Sequence, residues 1–167
     1  LYTTIRERDM DQLPHLITLL RDRDVKVRAA TIRAASLLGA KELGGYLVDY
    51  LDHPELYVTT WSALVKMGEP ILENLENTFH KSGVSQTVQR RVVRAMAEIG
   101  GEKAAGYLFT KLDHHEREVR SAAVHGLSKL EFAPSEQELL TLRNVIDSVA
   151  YYGALNVGGE ATRVKEE

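Results

Sequence analysis

Apolar positions recur along the chain with the spacing of helices rather than strands. Segments of about 10–14 residues place apolar side chains three and four positions apart, which favours amphipathic helices, and no convincing alternation of period two interrupts them. Stretches rich in glycine and proline separate these segments at 37–45, 66–70, 80–83, 99–103 and 131–135. The pattern predicts an all-α chain of short helices.

The apolar pattern also repeats at long range. Four segments align without gaps, starting at Val27, Leu56, Val88 and Val119, which are 29, 32 and 31 residues apart. Counted from each start, apolar residues stand at offsets five, eight and eleven, which share one broad face of a helix. Each segment, called helix B here, follows another predicted helix, called helix A. The sequence therefore predicts a helix A–turn–helix B unit repeated about four times.

Two columns of small residues accompany the repeats. Offset seven holds Ala34, Ala63, Ala95 and Gly126. A small side chain there lets a neighbouring helix approach closely. Offset twelve holds Gly39, Gly68 and Gly100, where the C-terminus of a helix favours a left-handed residue. The fourth copy departs from the pattern with Glu131.

The repeat unit resembles HEAT repeats, in the short variety also called PBS-lyase-like. The stretches that carry the resemblance are VKVRAATIRAASLLG (25–39), HPELYVTTWSALVKMGEP (53–70) and REVRSAAVHGLSKL (117–130). The resemblance covers residues 13–132. It implies a right-handed α-α superhelix, or HEAT-like solenoid, whose B helices line a concave surface that usually binds proteins. Some relatives are enzymes or act on tetrapyrroles.

The predicted organisation is a solenoid at 1–132, followed by a long helix and a tail. The repeats fall at about 13–39, 40–68, 69–100 and 101–131. Stacked pairs bury the apolar stripe that one pair cannot bury alone. The long C-terminal helix, at 133–157, either caps the last repeat or connects to a further domain, and 158–167 read as a flexible tail.

The C-terminal helix has its own start signal. Ser135 and Glu138 have the spacing of a capping box. Its predicted apolar stripe is Leu139, Leu142, Ile146 and Val149, with Leu140, Val145 and Tyr152 beside it. The stripe indicates one face that packs against the last repeat.

Composition narrows the class of protein. Hydrophobic residues make up 44% and charged residues 27%, which is ordinary for a soluble globular domain. No apolar run approaches the ~20 residues of a membrane span, and without cysteine there is no disulfide or thiolate metal site. The chain begins with Leu, as a segment of a longer protein would. We expect a cytoplasmic, soluble domain of a larger protein, which could itself be attached to a membrane.

A doubled stretch raises the question of a chemical site. YLVDYLDHPE (46–55) and YLFTKLDHHE (107–116) share six residues, and each stretch contains an Asp-His pair that could bind a metal or transfer protons. Both pairs fall in the turn between helix A and helix B, two repeats apart. At about 10 Å per helix layer they lie about 20 Å apart, too far to share an ion. We interpret the stretch as a structural joint and predict no catalytic residue, metal or cofactor.

The polar face of the B helices is the candidate partner-binding surface. Its predicted residues are Arg33, Val58, Ser62, Arg90, Arg94 and His125. Arginine is favoured where a carboxylate or phosphate is bound in bidentate fashion. Arg28 and Arg120 are expected to form ion pairs that tie a turn to helix B. Trp61 is expected in the core, whereas Tyr57 could be buried or exposed.

The sequence leaves three classes of function open. The favoured one is a non-catalytic interaction or scaffold module for a protein or an acidic peptide segment. A HEAT-like enzyme, either a metal oxygenase or a tetrapyrrole lyase, would need a ligand cluster or cofactor groove that the sequence does not show. Nucleic-acid binding would need a basic surface, and the net charge is −3. The partner, the flanking domains and the oligomeric state have no signal in the sequence.

Overall fold

The structure, a computed structural model, describes residues 13–130 and 134–147. Within these residues the chain folds into α-helices joined by short 3-10 turns and loops, and no strand is present. The all-α prediction is confirmed, because the apolar spacing of three and four positions is the spacing of one helix face. Residues 1–12, the predicted helical continuation at 148–157, the tail at 158–167, and Glu131 lie outside the described residues.

The helices form four consecutive pairs. The first is α1 (Leu13–Leu20) with α2 (Val25–Leu38), and the second is α3 (Gly44–Val48) with α4 (Tyr57–Met67). The third is α5 (Leu72–Phe79) with α6 (Gln86–Ile99), and the fourth is α7 (Gly101–Phe109) with α8 (Arg117–Lys129). Short 3-10 turns flank α3 at Lys41–Leu43 and Asp49–Asp52, and another precedes α5 at Glu69–Ile71. A last helix, α9, occupies residues 136–147.

The pairs stack into two layers. Each helix packs against its partner in the pair, and the B helices α2, α4, α6 and α8 pack against one another in chain order. In the other layer α3 packs against α5 and α5 against α7. Contacts thus run mainly from one repeat to the next, as expected for a solenoid.

The core follows the predicted columns in part. Offset eight is buried in all four B helices, as is offset four, which holds Thr31, Thr60, Val92 and Ala123. The second column was not predicted because two of its four members are threonines. At offset eleven Leu38 is exposed, since α2 has only one neighbouring B helix within the described residues.

Gly126, the small residue at offset seven of the fourth repeat, lies where its helix approaches α6 and α7 closely. A Cβ on Gly126 would lie 2.7 Å from the Cβ of Ala97 on α6 and 3.2 Å from Leu108 Cδ1 on α7. The glycines at offset twelve, Gly39, Gly68 and Gly100, all have positive φ angles. Only Gly39 is left-handed helical; the other two have an extended ψ, a region that is essentially restricted to glycine.

The start of α9 agrees with its prediction and its buried face does not. The backbone N–H and the hydroxyl of Ser135 both donate to Glu138 Oε2 at 2.7 Å, and the Glu138 N–H donates to Ser135 Oγ at 3.4 Å. These hydrogen bonds lower the pKa of Glu138. Leu142 and Val145 contact the core, whereas Leu139 and Ile146 are exposed. The predicted stripe is therefore rotated from the buried one, and Val149 and Tyr152 lie outside the described residues.

The helices of the described ranges are short for a membrane. None of them is long and apolar enough to cross a bilayer.

Two glycine-to-alanine changes should have opposite effects on stability. Gly126→Ala should lower the free energy of unfolding by on the order of 1 kcal/mol, because overpacking against Ala97 exceeds the gain in helix propensity. Gly106→Ala is the matched control: Gly106 is exposed within α7 and its Cβ would meet nothing within 4 Å. It should raise the free energy by about 0.5–1 kcal/mol. Urea unfolding measures the free energy of unfolding of both variants. If both substitutions raise it or both lower it, the close approach of Gly126 to Ala97 is contradicted.

Candidate functional site

The exposed surface of the four B helices, called the B face here, carries every predicted partner-binding residue. Those at offset six, Arg33, Ser62, Arg94 and His125, are all exposed. Val58 is also exposed, and Arg90 is half-buried. The six residues divide between two neighbouring grooves on this face.

The larger groove, called the cationic groove, spans α4, α6 and α8 and has a volume of about 780 Å³. Its lining residues are Tyr57, Trp61, Arg90, Arg91, Arg94, Ala97, Glu98, Arg117, Glu118, Ser121, Ala122, His125 and Lys129. Five permanently cationic side chains thus face two carboxylates. The groove is positive although the whole chain is net negative.

The smaller groove, called the aliphatic groove, lies between α2 and α4 and has a volume of about 420 Å³. Its lining residues are Arg33, Ser36, Leu37, Val58, Thr59, Ser62, Ala63 and Lys66. Leu37 is 70% exposed and Val58 59% exposed. Two large aliphatic side chains therefore stand in solvent beside two cations.

The cations of the larger groove are not equivalent. Arg90 Nη1 lies 3.6 Å from Glu118 Oε2, so this pair is partly neutralised. Arg91 donates to the backbone oxygen of Leu51 and lies over the Tyr57 ring, 3.8 Å from its centroid. Among the described residues, Arg94, Arg117 and Lys129 have no hydrogen bond or ion pair with another side chain or carbonyl. These three cations are available to a ligand.

Trp61 is less buried than its register suggests. It packs against the core and at the same time lines the cationic groove, so it is only partly buried. Tyr57 is likewise partly buried, beneath Arg91. The groove thus has an aromatic wall on α4 opposite the cations of α8.

Arg28 and Arg120 bind backbone oxygens of the turn before helix B instead of forming the expected ion pairs. Arg28 Nη1 donates to the backbone oxygens of Asp22 at 2.6 Å and Arg23 at 3.3 Å. Arg120 Nη1 donates to those of His114 at 2.7 Å and His115 at 2.9 Å. These carbonyls lie in the turn between helix A and helix B, where backbone oxygens need donors, so they compete successfully with the nearby carboxylates.

In the two middle repeats, other side chains donate to the backbone oxygens near the end of helix A. In the third, Gln89 Nε2 donates to the backbone oxygen of Phe79 at 3.4 Å. In the second, the aligned residue is Tyr57, which makes no such bond, and Arg91 of the next repeat reaches back to Leu51. The only sign of this difference in the sequence is that Tyr57 is aromatic, whereas the aligned residues of the other three repeats are polar.

Comparison with protein families agrees with this architecture. A family model described as HEAT repeats matches residues 69–151. This match supports assignment of the chain to the HEAT-repeat family. HEAT repeats are generally protein-interaction scaffolds and are typically non-enzymatic. No curated protein matches the chain.

The doubled Asp-His stretch is a joint between the helices of a HEAT repeat. His53 Nδ1 accepts the backbone N–H of Glu55, and His114 Nδ1 accepts that of Glu116, both at 3.2 Å. Each histidine thus holds the start of its helix B. Within 13–130 and 134–147, no three His, Asp or Glu side chains converge as a metal site.

His114 can accept the hydrogen bond at Nδ1 only while its imidazole is neutral. Partial burial and, secondly, the neighbouring His115 lower the pKa of His114 below its ordinary value of 6.5. The nearby Glu116 opposes this effect, and Lys111 and Arg120 add to it. Burial and the surrounding cations therefore favour the protonation state that the hydrogen bond needs.

A buried lysine ties the A helices of the last two HEAT repeats together. Lys111 follows α7 and is 1% exposed. Its Nζ donates to Glu76 Oε1 on α5 at 2.7 Å and to Thr110 Oγ1 at 3.0 Å, and lies 3.1 Å from His80 Nε2. The burial of Lys111 was not predicted. The available signal was its alignment with Tyr50, whose hydroxyl donates to the backbone oxygen of Leu20.

Substitutions should separate the capping arginines from the free ones. Arg120→Met keeps the aliphatic stem but removes both hydrogen bonds to the turn before α8, so the free energy of unfolding should fall by about 1.5–3 kcal/mol. Arg94→Met, the matched control on the B face, should change it by less than about 0.5 kcal/mol. Urea unfolding at neutral pH measures both. If both variants lose the same free energy of unfolding, the distinction between a structural Arg120 and a free Arg94 is contradicted.

Acid should destabilise the fold through His114. Because its folded pKa is lowered, the unfolded chain binds more protons between that pKa and 6.5. The stabilisation is therefore fully present above 6.5 and is lost as the pH falls through this window. His114→Asn, whose side chain can still accept a hydrogen bond, should reduce the pH dependence measured by urea unfolding at pH 7.5 and 5.5. An unchanged dependence would exclude His114 as its source.

Proposed function

We propose that the chain is a non-catalytic interaction module of a larger cytoplasmic protein, and that its B face binds an acidic segment of a partner protein. The observation that supports this most directly is that Arg94, Arg117 and Lys129, which have no ion-pair partner within 13–130 and 134–147, line one groove with Trp61. Unpaired cations collected in a groove are complementary to anionic side chains, and they raise both the rate and the specificity of association.

Arginine suits a carboxylate partner in particular. Its planar guanidinium forms two parallel hydrogen bonds with a carboxylate, and it is less strongly hydrated than an ammonium group. Two of the three free cations are arginines. The aromatic wall formed by Tyr57 and Trp61 adds apolar area, which supplies affinity that exposed ion pairs alone do not.

A protein partner is favoured over nucleic acid by charge. Nucleic-acid-binding domains usually have a strongly basic pI, above about 9, whereas this chain has a pI of about 6.1. Within the groove, Glu98 and Glu118 would face a phosphate backbone. An acidic peptide can place neutral residues opposite these carboxylates, which a uniformly charged strand cannot do.

Charge reversal in the groove tests the proposal. A fluorescent peptide of alternating aspartate, glutamate and glycine is titrated with the chain, and its anisotropy is measured. Arg94→Glu combined with Lys129→Glu should weaken binding at least tenfold, which is about 1.4 kcal/mol, because two attractions become repulsions. Binding should also weaken with added salt.

The matched control reverses the same charge elsewhere. Lys41 precedes α3 and Lys103 lies on α7, both exposed and away from the B face. Lys41→Glu combined with Lys103→Glu should leave the affinity within about twofold, since the distant charges are screened. Equal weakening by both double variants would show binding through net charge alone. Tighter binding of single-stranded DNA than of the peptide would contradict a protein partner.

A further inference from the structure

The two grooves adjoin on the B face, one on each side of α4. Both are lined by α4, which contributes Tyr57 and Trp61 to the cationic groove, and Val58 and Ser62 to the aliphatic groove. Neighbouring residues of a helix point to different sides, so α4 separates the grooves and borders each of them. A ligand that crosses the B helices would enter both.

At two offsets of helix B, the type of residue changes along the stack from aliphatic to polar or charged. Offset two holds Ala29, Val58, Arg90 and Ser121, and offset ten holds Leu37, Lys66, Glu98 and Lys129. At both offsets the aliphatic side chains fall in the first two repeats, while the third and fourth carry polar or charged ones. The aliphatic and cationic grooves are therefore two halves of one surface.

The aliphatic half has the features of a small binding site. Leu37 and Val58 are highly exposed, and the buried side chain of Ala63 lines the same groove. Exposed aliphatic side chains gain free energy when a ligand removes them from water. Arg33 and Lys66, also exposed, keep this half positive at its rim, so the same charge complementarity extends across the face.

Geometry sets the length of a segment that could use both halves. Packed helices are about 8–10 Å apart, so three steps from α2 to α8 span about 24–30 Å. An extended chain covers about 3.3 Å per residue, and roughly eight residues bridge this distance. One short segment is therefore long enough to contact both grooves.

We infer that the B face selects an acidic segment with an adjoining aliphatic portion, whose carboxylates lie over Arg94, Arg117 and Lys129 while its aliphatic side chains cover Leu37 and Val58. This deepens the proposed function and rests on it. The acidic portion supplies charge complementarity, and the aliphatic portion distinguishes this segment from other acidic ones.

Intrinsic fluorescence offers a direct measurement. Trp61 is the only tryptophan of the chain and lines the cationic groove, so its emission should change when a peptide binds. Two synthetic peptides serve as probes. The first joins four acidic residues to four leucine and valine residues, and the second joins the same acidic residues to four serines. The first should bind the unmodified chain about tenfold more tightly, which is about 1.4 kcal/mol.

The variant Leu37→Ser combined with Val58→Ser should remove that difference. Both side chains are exposed, so the fold should persist, which thermal unfolding checks. The affinity for the acidic–serine peptide should stay unchanged. Leu19→Ser is the matched control, because Leu19 is an exposed aliphatic residue on α1, and it should preserve the tenfold preference.

The possible results separate the two proposals. If both peptides bind the unmodified chain equally, the aliphatic selection is wrong and the proposed function stands. If neither peptide binds, the acidic partner itself is wrong. If light scattering shows that the unmodified chain self-associates and that the Leu37→Ser, Val58→Ser variant does not, a second copy covers this half and the inference is overturned.

Discussion

The carbonyl groups between helix A and helix B need hydrogen-bond donors, and a side chain from a helix B supplies one in every repeat. Arg28, Gln89 and Arg120 do so from the same position of their own repeats, and Arg91 does so for the second repeat. Each bond links helix B to the chain that precedes it and so fixes the turn between the two helices. The alignment of the B helices, and hence the two grooves, depends on these turns.

Position in the repeat decides what an arginine does. At offset one, Arg120 donates to the carbonyls of the turn before helix B. One and a half turns further along, Arg94 forms no hydrogen bond or ion pair with another described residue. The same side chain is therefore structural at one offset and available to a ligand at the other. Because the repeats stack in register, the available cations gather on one face.

Much of this arrangement was predictable because it depends on periodicity. The apolar columns, the close approach at Gly126 and the face that carries Arg94 and His125 all follow from spacing within one helix. Contacts between repeats were less predictable. The burial of Lys111 depends on Glu76 of the preceding repeat, and Trp61 is partly exposed because it borders a groove formed together with α6 and α8. The rotated face of α9 depends on the end of the stack, where no repeat pattern fixes the register.

The bond from Arg91 to Leu51 crosses a boundary between repeats. Repeats one, three and four close their own turns, but the second borrows its donor from the third, with Tyr57 as the surface on which that donor rests. The second repeat is therefore not a self-contained module. It could not be excised, transplanted or duplicated on its own without leaving its turn without a donor. Recombination at the boundary between repeats two and three would separate Arg91 from Leu51, just as a break between repeats three and four would separate the buried Lys111 from Glu76.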